Sequence, residues 1–326
     1  MIEVLRPGLL SSVQDLGRRG HAAIGVGSAG AMDPTLLRIA NWLVGNADGA
    51  AAIECTLSGP RLHFGIDTCI AWCGEGDVQL DGAALPAWRP VPVARGSVFD
   101  AGALRRGARA YLAVAGGIDV APVLGSRSVD VNAGLGPCEG RALRTGDRLP
   151  LAHNARARLR RAPAWSVAPW PWFDPTPQRV LRVLAGSHHD ALDLPSREAL
   201  TSQYFRVSSE SNRVGVRLLG PTLRLREPLE LVSAPVTRGT LQLPPSGQPI
   251  MLAAEHPTTG GYPRIAHLIA TDQSHLAQRR PGDSVLLRKV DAEETERLRQ
   301  RHKLALKRLH DTLQQRRRES GCGASI

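Results

Sequence analysis

The sequence predicts a mainly β protein, and two observations carry that prediction. Short apolar or alternating runs follow one another along the chain, and Gly and Pro separate them at short intervals. This pattern is typical of a closed or sandwiched β architecture, because parallel βαβ units would need helical segments between the strands. The predicted strands are Ile66–Trp72, Val91–Phe99, Arg109–Ala115, Val180–Leu184, Tyr204–Val207, Val216–Leu219, Leu229–Val232, Thr240–Leu243, Ile250–Ala254, Ile265–Ala270 and Val285–Val290.

A few helices are expected beside the strands. Asp33 is a suitable N-cap, Pro34 fits the first helical turn, an apolar face runs to Val44, and Gly45 can end the helix. The tail, 291–326, is predicted to be helical, because leucines recur among its charges, with acidic residues first and arginines last. We expect this basic tail to face solvent or a partner.

Residues 154–178 differ in composition from their flanks. Arginines come first, followed by prolines and by three of the six tryptophans: Trp165, Trp170 and Trp172. The segment is predicted to be a linker in which the tryptophans pack. The predicted organisation is therefore an N-terminal β lobe (1–153), the linker (154–178), a C-terminal β lobe (179–290) and the tail (291–326).

Composition and charge limit the function classes. The net charge of +11 suits a nucleic-acid binder, but only three of the 41 basic residues are lysines, and the arginines are spread along the chain. No helix-turn-helix, zinc-finger or RNP pattern accompanies the charge, so we expect no nucleic-acid partner. No basic stretch precedes an apolar run at the N-terminus, and no segment approaches about 18 apolar residues. We therefore expect a soluble cytoplasmic protein without a membrane anchor.

Several motifs that suggest a cofactor do not have the required context. Gly25–Gly30 is a formal GxGxxG, but the strand before it could only be Ala22–Ile24, and no second strand with an acidic end follows. The five cysteines include no CxxC pair, and His188-His189-Asp190 has no third ligand at useful spacing. We expect buried cysteines, a solvated turn at the histidines, and no P-loop, since GxxxxGK[ST] is absent.

The most informative stretch is Gly239–Asp272. Its centre, Thr258-Thr259-Gly260-Gly261-Tyr262-Pro263, places hydroxyls, two glycine amides and a phenol between two predicted strands. Glycine permits close approach and positive φ, so consecutive N–H groups can point at one anion. The alternative is a hairpin whose glycines only satisfy the turn geometry.

Together with Gln242 and the turn Pro244–Pro249, this loop resembles the allophanate hydrolase subunit 2 family, also described as the biotin-dependent carboxyltransferase-like family. One branch of that family forms the C subunit of 5-oxoprolinase. A second block, Ser12-Val13-Gln14-Asp15-Leu16-Gly17-Arg18, resembles the N-terminal signature of the family. Gly30–Asp33 and Leu124–Ser128 continue the resemblance, which runs from about Val4 to Leu287.

The resemblance implies two cyclophilin-like β-barrel lobes, the first of them carboxyltransferase-like. It also implies a subunit that acts only within a complex. In the 5-oxoprolinase branch, the B and C subunits use ATP to activate the lactam of 5-oxoproline, and the A subunit finishes its hydrolysis to glutamate. The expected function is thus that of an ATP-dependent hydrolase subunit, with ATP and Mg²⁺ as cofactors in the complex, no biotin on this chain, and the B and A subunits of 5-oxoprolinase as partners.

Candidate site residues follow from the matching positions. The candidate catalytic residues are Arg213, Thr258, Thr259, Gly260, Gly261 and Tyr262. The candidate substrate-binding or nucleotide-binding residues are Gln14, Asp15, Arg18, Ser28, Asn41 and Gln242, and the candidate metal ligands are Glu255 and Asp272. The alternative for Arg213 and Asp272 is a salt bridge between the lobes. Asp15 and Arg18 are expected one helical turn apart, just after the first strand.

Two other functions stay open at this point. The chain could be the carboxyltransferase half of a biotin-dependent urea carboxylase-type enzyme, although it has no Met-Lys-Met and would need a separate biotin carrier. It could instead be a non-catalytic regulatory subunit, in which the motifs are signatures of the fold alone. Glu255 stands where the family usually has Asp, and Asn212 stands where Asp is usual before Arg213, which leaves the substrate and the metal role of Glu255 open.

Overall fold

A computed structural model describes residues 1–152, 161–170, 172–174 and 176–320. The arginine-rich start of the predicted linker, 154–160, and Cys322 lie outside the described residues. The strands are β1 (Ile2–Arg6), β2 (Leu10–Gln14), β3 (Ala52–Thr56), β4 (Arg61–Phe64), β5 (Thr68–Leu80), β6 (Ala83–Ala84), β7 (Pro90–Val93), β8 (Val98–Val114), β9 (Arg148–Leu149), β10 (Gln178–Ala185), β11 (Tyr204–Val207), β12 (Gly215–Leu219), β13 (Ala234–Pro235), β14 (Thr240–Gln242), β15 (Ile250–Leu252), β16 (Thr259–Gly260), β17 (Arg264–Leu268) and β18 (Ser284–Lys289). The helices are α1 (Pro34–Val44), α2 (Leu194–Ser202), α3 (Gln273–Ala277) and α4 (Ala292–Glu319).

The chain divides into two compact units. The first comprises residues 1–18, 33–174 and 305–326, and the second comprises 19–32 and 175–304. The mainly β prediction is confirmed, while the units interleave more than a simple succession of lobes would. A short N-terminal segment belongs to the second unit, and the division falls within α4.

The first unit is built on a nine-stranded sheet. Six strands follow the order β2-β3-β8-β4-β1-β9, and β5 pairs with β8, β7 and β6. The long strands β5 and β8 carry much of the core, where the Trp72 and Phe99 rings lie 5.7 Å apart between centroids. Helix α1 packs on both strands. It begins and ends as predicted, because the Asp33 carboxylate accepts a hydrogen bond from Leu36 N and Gly45 adopts φ 84°.

The second unit is a closed barrel in the order β10-β17-β14-β15-β12-β11-β18. Strands β10 and β18 pair in parallel and close it, while the other neighbours are antiparallel. Leu181, Phe205, Leu241 and Val285 are fully buried in its core. Strand β14 lies between β15 and β17, so the two strands that flank the Thr-Thr-Gly-Gly loop do not pair with each other. The hairpin alternative is therefore wrong.

Some predicted elements differ from the structure. Val91–Phe99 is two strands, β7 and the start of β8, because a turn that includes Gly96 at φ 90° separates them. Leu229–Val232 forms no strand, and Val232 is 91% exposed. His189 lies in a short 3-10 turn but is buried rather than solvated, and burial lowers its pKa. No helix in the described residues is long and apolar enough to cross a membrane.

Candidate functional site

In the N-terminal signature, residues 12–18, the Asp15 carboxylate accepts hydrogen bonds from the segment 126–128. Asp15 directly follows β2, and its side chain accepts hydrogen bonds from Ser126 Oγ at 2.6 Å, Ser128 Oγ at 2.5 Å and Arg127 N at 2.6 Å. The expected helical spacing of Asp15 and Arg18 is wrong, because the chain turns there through Gly17 at φ 87°. Asp15 therefore joins two motifs that lie far apart in the sequence, and it fixes the backbone around Ser128.

That backbone in turn binds Arg18 and Gln14. Arg18 Nη2 donates to the Ser128 carbonyl, and Gln14 Nε2 donates to the Val129 carbonyl at 2.9 Å and to Ser12 Oγ at 2.9 Å. Arg18 is 2% exposed and Gln14 is fully buried. Within the described part of the chain, Arg18 Nε, Arg18 Nη1 and Gln14 Oε1 have no hydrogen-bond partner. The first unit thus holds a buried guanidinium and a buried amide oxygen with unused bonding capacity.

Two other candidate binding residues differ in their surroundings. Asn41 is fully buried, its Nδ2 donates to Ala50 O at 2.8 Å, and its Oδ1 accepts from Asn46 Nδ2 at 3.0 Å. These bonds hold the loop after α1 and favour a structural role for Asn41. Ser28 is partly buried in the segment 19–32, which belongs to the second unit.

In the second unit, Arg213 and Glu255 form a buried ion pair. Arg213 Nε lies 2.5 Å from Glu255 Oε1, and the two side chains are 4% and 2% exposed. Arg213 Nη2 also donates to the Gly30 carbonyl at 2.7 Å, and Arg238 donates to the next two carbonyls of the same segment. Arg213 therefore fastens the segment 19–32 to the barrel, with Glu255 neutralising its charge.

The two candidate metal ligands are each occupied by an arginine. Asp272 accepts from Arg182 Nε at 3.0 Å and from Arg182 Nη2, and its side chain is 1% exposed. Glu255 binds Arg213, as described above. No group of three or more His, Cys, Asp or Glu side chains in the described residues is placed to hold a metal ion. Arg213 and Asp272 each form an ion pair, but both pairs lie within the second unit, so the expected salt bridge between the lobes is wrong for both residues.

The Thr-Thr-Gly-Gly-Tyr loop crosses the barrel surface and pairs with β13. Val236 N donates to Thr258 O at 3.1 Å, and β16 pairs Thr259 with Pro235 and Gly260 with Ala234. This register makes Ala234 and Gly260 a hydrogen-bonded pair, so the Gly260 N–H lies within the ladder. Neither loop glycine has positive φ. The expected pair of adjacent amides aimed at one anion is therefore wrong, and the Gly261 N–H is the loop amide that lies beyond the ladder.

The two loop glycines differ in how much space surrounds them. A β-carbon at Gly260 would lie 2.4 Å from Gln242 Nε2, so a side chain there would displace the Gln242 amide. Gln242 is 5% exposed, and its Nε2 has no hydrogen-bond partner among the described residues. A β-carbon at Gly261 would lie 3.5 Å from Leu231 O and 3.6 Å from Ser233 Oγ, which is ordinary contact. Neither sterics nor backbone geometry demands glycine at 261.

The end of the loop lines a groove of about 620 Å³ in the second unit. Gly261, Tyr262 and Pro263 form one wall, and Tyr262 is 45% exposed. Most of the remaining wall is aliphatic or proline, and Arg224 is the charged residue on it. The other wall residues are Thr222, Leu223, Leu225, Pro228, Leu229, Leu243, Pro244 and Pro245. The groove therefore suits a small ligand or side chain that is largely apolar.

A buried network at the start of α1 was not predicted as part of the site. Asp33 N donates to Tyr111 Oη at 2.7 Å, and the Tyr111 hydroxyl donates to Glu54 Oε2 at 2.5 Å. All three residues are at most 1% exposed, and burial raises the pKa of Tyr111 well above its ordinary value. Glu54 lies in β3, which was not predicted as a strand, and its pairing with Tyr111 of β8 could not be anticipated from spacing along the sequence.

Comparison with known proteins places this architecture in a family. The model of the family described as carboxyltransferase domain, subdomain A and B, matches residues 24–289. The chain belongs to this family. The matched range contains the barrel, the Arg213–Glu255 pair and the Thr-Thr-Gly-Gly loop, while Gln14, Asp15 and Arg18 precede it.

Similar proteins cover nearly the whole chain. It is 39% identical over 302 residues to the C subunit of 5-oxoprolinase from Escherichia coli, in a match that covers 92% of this chain and 94% of that protein. It is 36% identical to the C subunit of 5-oxoprolinase from Haemophilus influenzae, over 94% of this chain and 96% of that protein. Among solved structures, urea amidolyase of K. lactis superposes with a TM-score of 0.84 at 29% identity, over 96% of this chain and 20% of that one.

Proposed function

We propose that this chain is the C subunit of a 5-oxoprolinase and acts with the B and A subunits of that enzyme in the ATP-dependent cleavage of 5-oxoproline to glutamate. The observation that carries the proposal is the similarity to the E. coli protein at 39% identity over 94% of its length. Because the similarity covers almost the full length of both chains, it is not the sharing of a single domain.

Cleavage of 5-oxoproline requires that negative charge developing on the lactam oxygen be stabilised. A lactam carbonyl is a poor electrophile, and cleavage adds water across its C–N bond at the expense of ATP. Donors placed where the oxygen gains charge lower that barrier. In the proposed role, the Gly261 N–H and the exposed Thr259 hydroxyl are the donors that this chain contributes, and Tyr262 and the aliphatic groove wall lie beside Gly261.

The groove beside the loop and the carboxylates of Glu255 and Asp272 are poorly suited to a nucleotide with its metal ion. A triphosphate requires several cationic or amide donors and carboxylates for Mg²⁺. The groove beside the loop offers Arg224, and Glu255 and Asp272 are neutralised by arginines. We therefore assign ATP and Mg²⁺ binding to a partner protein of the complex, and no metal ligation to Glu255 or Asp272.

Reconstitution tests this function. The purified chain is mixed with the A and B subunits of a 5-oxoprolinase, and glutamate is measured with 5-oxoproline and ATP present. We expect glutamate only when the chain, both partners and ATP are all included. Equal glutamate formation without this chain would refute the proposal.

The superposition on urea amidolyase favours a second candidate, a carboxyltransferase that works with a biotin carrier on urea. This candidate predicts urea-dependent ATP consumption that avidin blocks when a biotinylated carrier is supplied. The 5-oxoprolinase hypothesis predicts no response to urea and no inhibition by avidin, so one assay with both substrates separates the two.

A further inference from the structure

Arg224 is the charged residue on the wall of the groove that Gly261 also lines. Its side chain is exposed, and it forms no ion pair and no side-chain hydrogen bond with the described residues. Most of the remaining wall is aliphatic or proline. Because apolar surroundings lower the local dielectric constant, an anion in the groove is attracted to this guanidinium more strongly than it would be on an open surface.

The backbone around Arg224 is fixed, although it belongs to no helix or strand. Arg224 N donates to Ser196 Oγ at 2.8 Å, and Arg224 O accepts from Asp193 N at 3.0 Å. The preceding residue is held as well, because Leu223 N donates to Gly247 O at 3.0 Å. The Arg224 side chain therefore extends from an ordered segment, as the positioning of a binding group requires.

The carboxylates close to Arg224 in the chain have other roles. Asp193 caps α2, where its carboxylate accepts from Ser196 N at 2.8 Å. The hydrogen bonds with Ser196, more than the charge of Arg224, lower the pKa of Asp193. Glu227 and Glu230 are exposed and are not part of the groove wall. Arg224 is therefore able to receive a carboxylate from a ligand.

The groove also carries a hydrogen-bond donor for a carbonyl. Gly261, whose N–H lies beyond the ladder of β13 and β16, lines it, and Pro263 O accepts from Leu243 N at 2.9 Å at the end of the loop. All of these residues belong to the second unit. The volume of about 620 Å³ lies within the range of about 300–1,000 Å³ that is usual for small-molecule sites. One cavity thus combines an apolar surface, an amide donor and a cation.

We propose that this groove binds 5-oxoproline, with the substrate carboxylate on Arg224, the lactam oxygen at the Gly261 N–H, and the ring methylenes against the aliphatic wall. The identity of the substrate rests on the proposed function. A guanidinium binds a planar carboxylate through two parallel hydrogen bonds. Urea has neither a negative charge for Arg224 nor methylenes for the wall, so Arg224 selects an acidic lactam over neutral amides.

Equilibrium binding to the full chain tests this role. The probes are 5-oxoproline and 2-pyrrolidinone, which is the same lactam without the carboxylate, titrated without ATP and followed by ligand-observed NMR. We expect the wild-type chain to bind 5-oxoproline about tenfold more tightly than 2-pyrrolidinone. Arg224→Gln should remove this preference, because only the acid loses a partner. The preference of the wild type should also decrease as salt is added, since the guanidinium is exposed.

Three further variants locate the site. Arg206→Gln removes the same charge from an exposed residue of β11 outside the groove and should keep the wild-type preference. Arg224→Lys keeps the charge without the planar fork and should show an intermediate preference. Gly261→Val should weaken the binding of both lactams, because each of them presents the carbonyl to the 261 amide.

Four outcomes overturn the proposal. They are a wild type that binds neither lactam or both equally, an Arg224→Gln chain that retains the preference, an Arg206→Gln chain that loses it equally, and a Gly261→Val chain that binds both lactams as the wild type does. If the groove instead holds an apolar side chain of a partner protein, the first of these is the result.

The outcome is separable from that of the proposed function. A chain that shows the Arg224-dependent preference but yields no glutamate with the partner proteins keeps its lactam site and loses the 5-oxoprolinase role. A reconstituted enzyme that makes glutamate, formed from a chain without the preference, keeps the role and loses the site.

Discussion

At the scale of single residues, the two adjacent glycines of the Thr-Thr-Gly-Gly-Tyr loop have different surroundings. A side chain at 260 would displace the Gln242 amide, whereas a β-carbon at 261 would make only ordinary contacts. The adjacent glycines were recognisable in the sequence as a special feature. The difference between them could not be predicted, because it depends on Gln242 reaching the loop from β14 and on the pairing of the loop with β13. No local sequence pattern indicates either contact.

This difference predicts the effect of a side chain at each position. Gly261→Val in the assembled enzyme should lower turnover about a hundredfold or more, because the side chain blocks approach to the 261 amide, and loss of one such donor costs about two to three decades in rate. Its melting temperature should stay close to that of the wild type. Activity and melting temperature are measured on the same preparation.

Gly260→Val is the matched control, since its β-carbon would displace Gln242 and should lower the melting temperature. A Gly261→Val protein with a large stability loss and normal activity per folded molecule would contradict the donor role.

At the scale of elements, helix α1 and the strand β11 were predictable because their signals are local. Asp33, Pro34 and Gly45 bracket α1 where the structure has it. Helix α2 carries similar signals, Asp193 as N-cap and Pro195 in the first turn, and was not predicted because its apolar face is short. Ion pairs such as Arg213–Glu255 join residues 42 positions apart, and only the barrel brings them together.

The buried Arg213–Glu255 pair is expected to stabilise the second unit because each charge neutralises the other. Removing one partner leaves a buried charge, so Arg213→Met or Glu255→Leu alone should lower the free energy of unfolding by about 3–5 kcal/mol, while the double variant should recover most of that loss. Urea denaturation of the four proteins measures this. If single variants keep full stability but lose turnover, Arg213 acts on the substrate and not through the segment that it anchors.

At the scale of the whole molecule, the chain forms two units whose parts interleave along the sequence. The strand-rich pattern indicated the class of fold, and long motifs indicated the family. The membership of residues 19–32 in the second unit could not be predicted, because it rests on carbonyl contacts with Arg213 and Arg238 that carry no sequence signal.

The purified chain is therefore expected to be inactive by itself. Without a partner that binds the nucleotide, it should show no ATP hydrolysis above background when 5-oxoproline is added. Release of phosphate is measured with and without 5-oxoproline, and again after the B subunit of 5-oxoprolinase has been added. Substrate-dependent hydrolysis by the chain alone would show that it contains a complete site.

The parallel pairing of β10 with β18 has a consequence for how the protein is made. Gln178 is partnered by Ser284, so the barrel stays open until the ribosome has released nearly the whole second half of the chain. Until then β10 and β11 each present an unpaired edge to surrounding proteins, and closing so long a loop is slow. Nascent chains that stall before Ser284 should be the species that chaperones capture and that aggregate first.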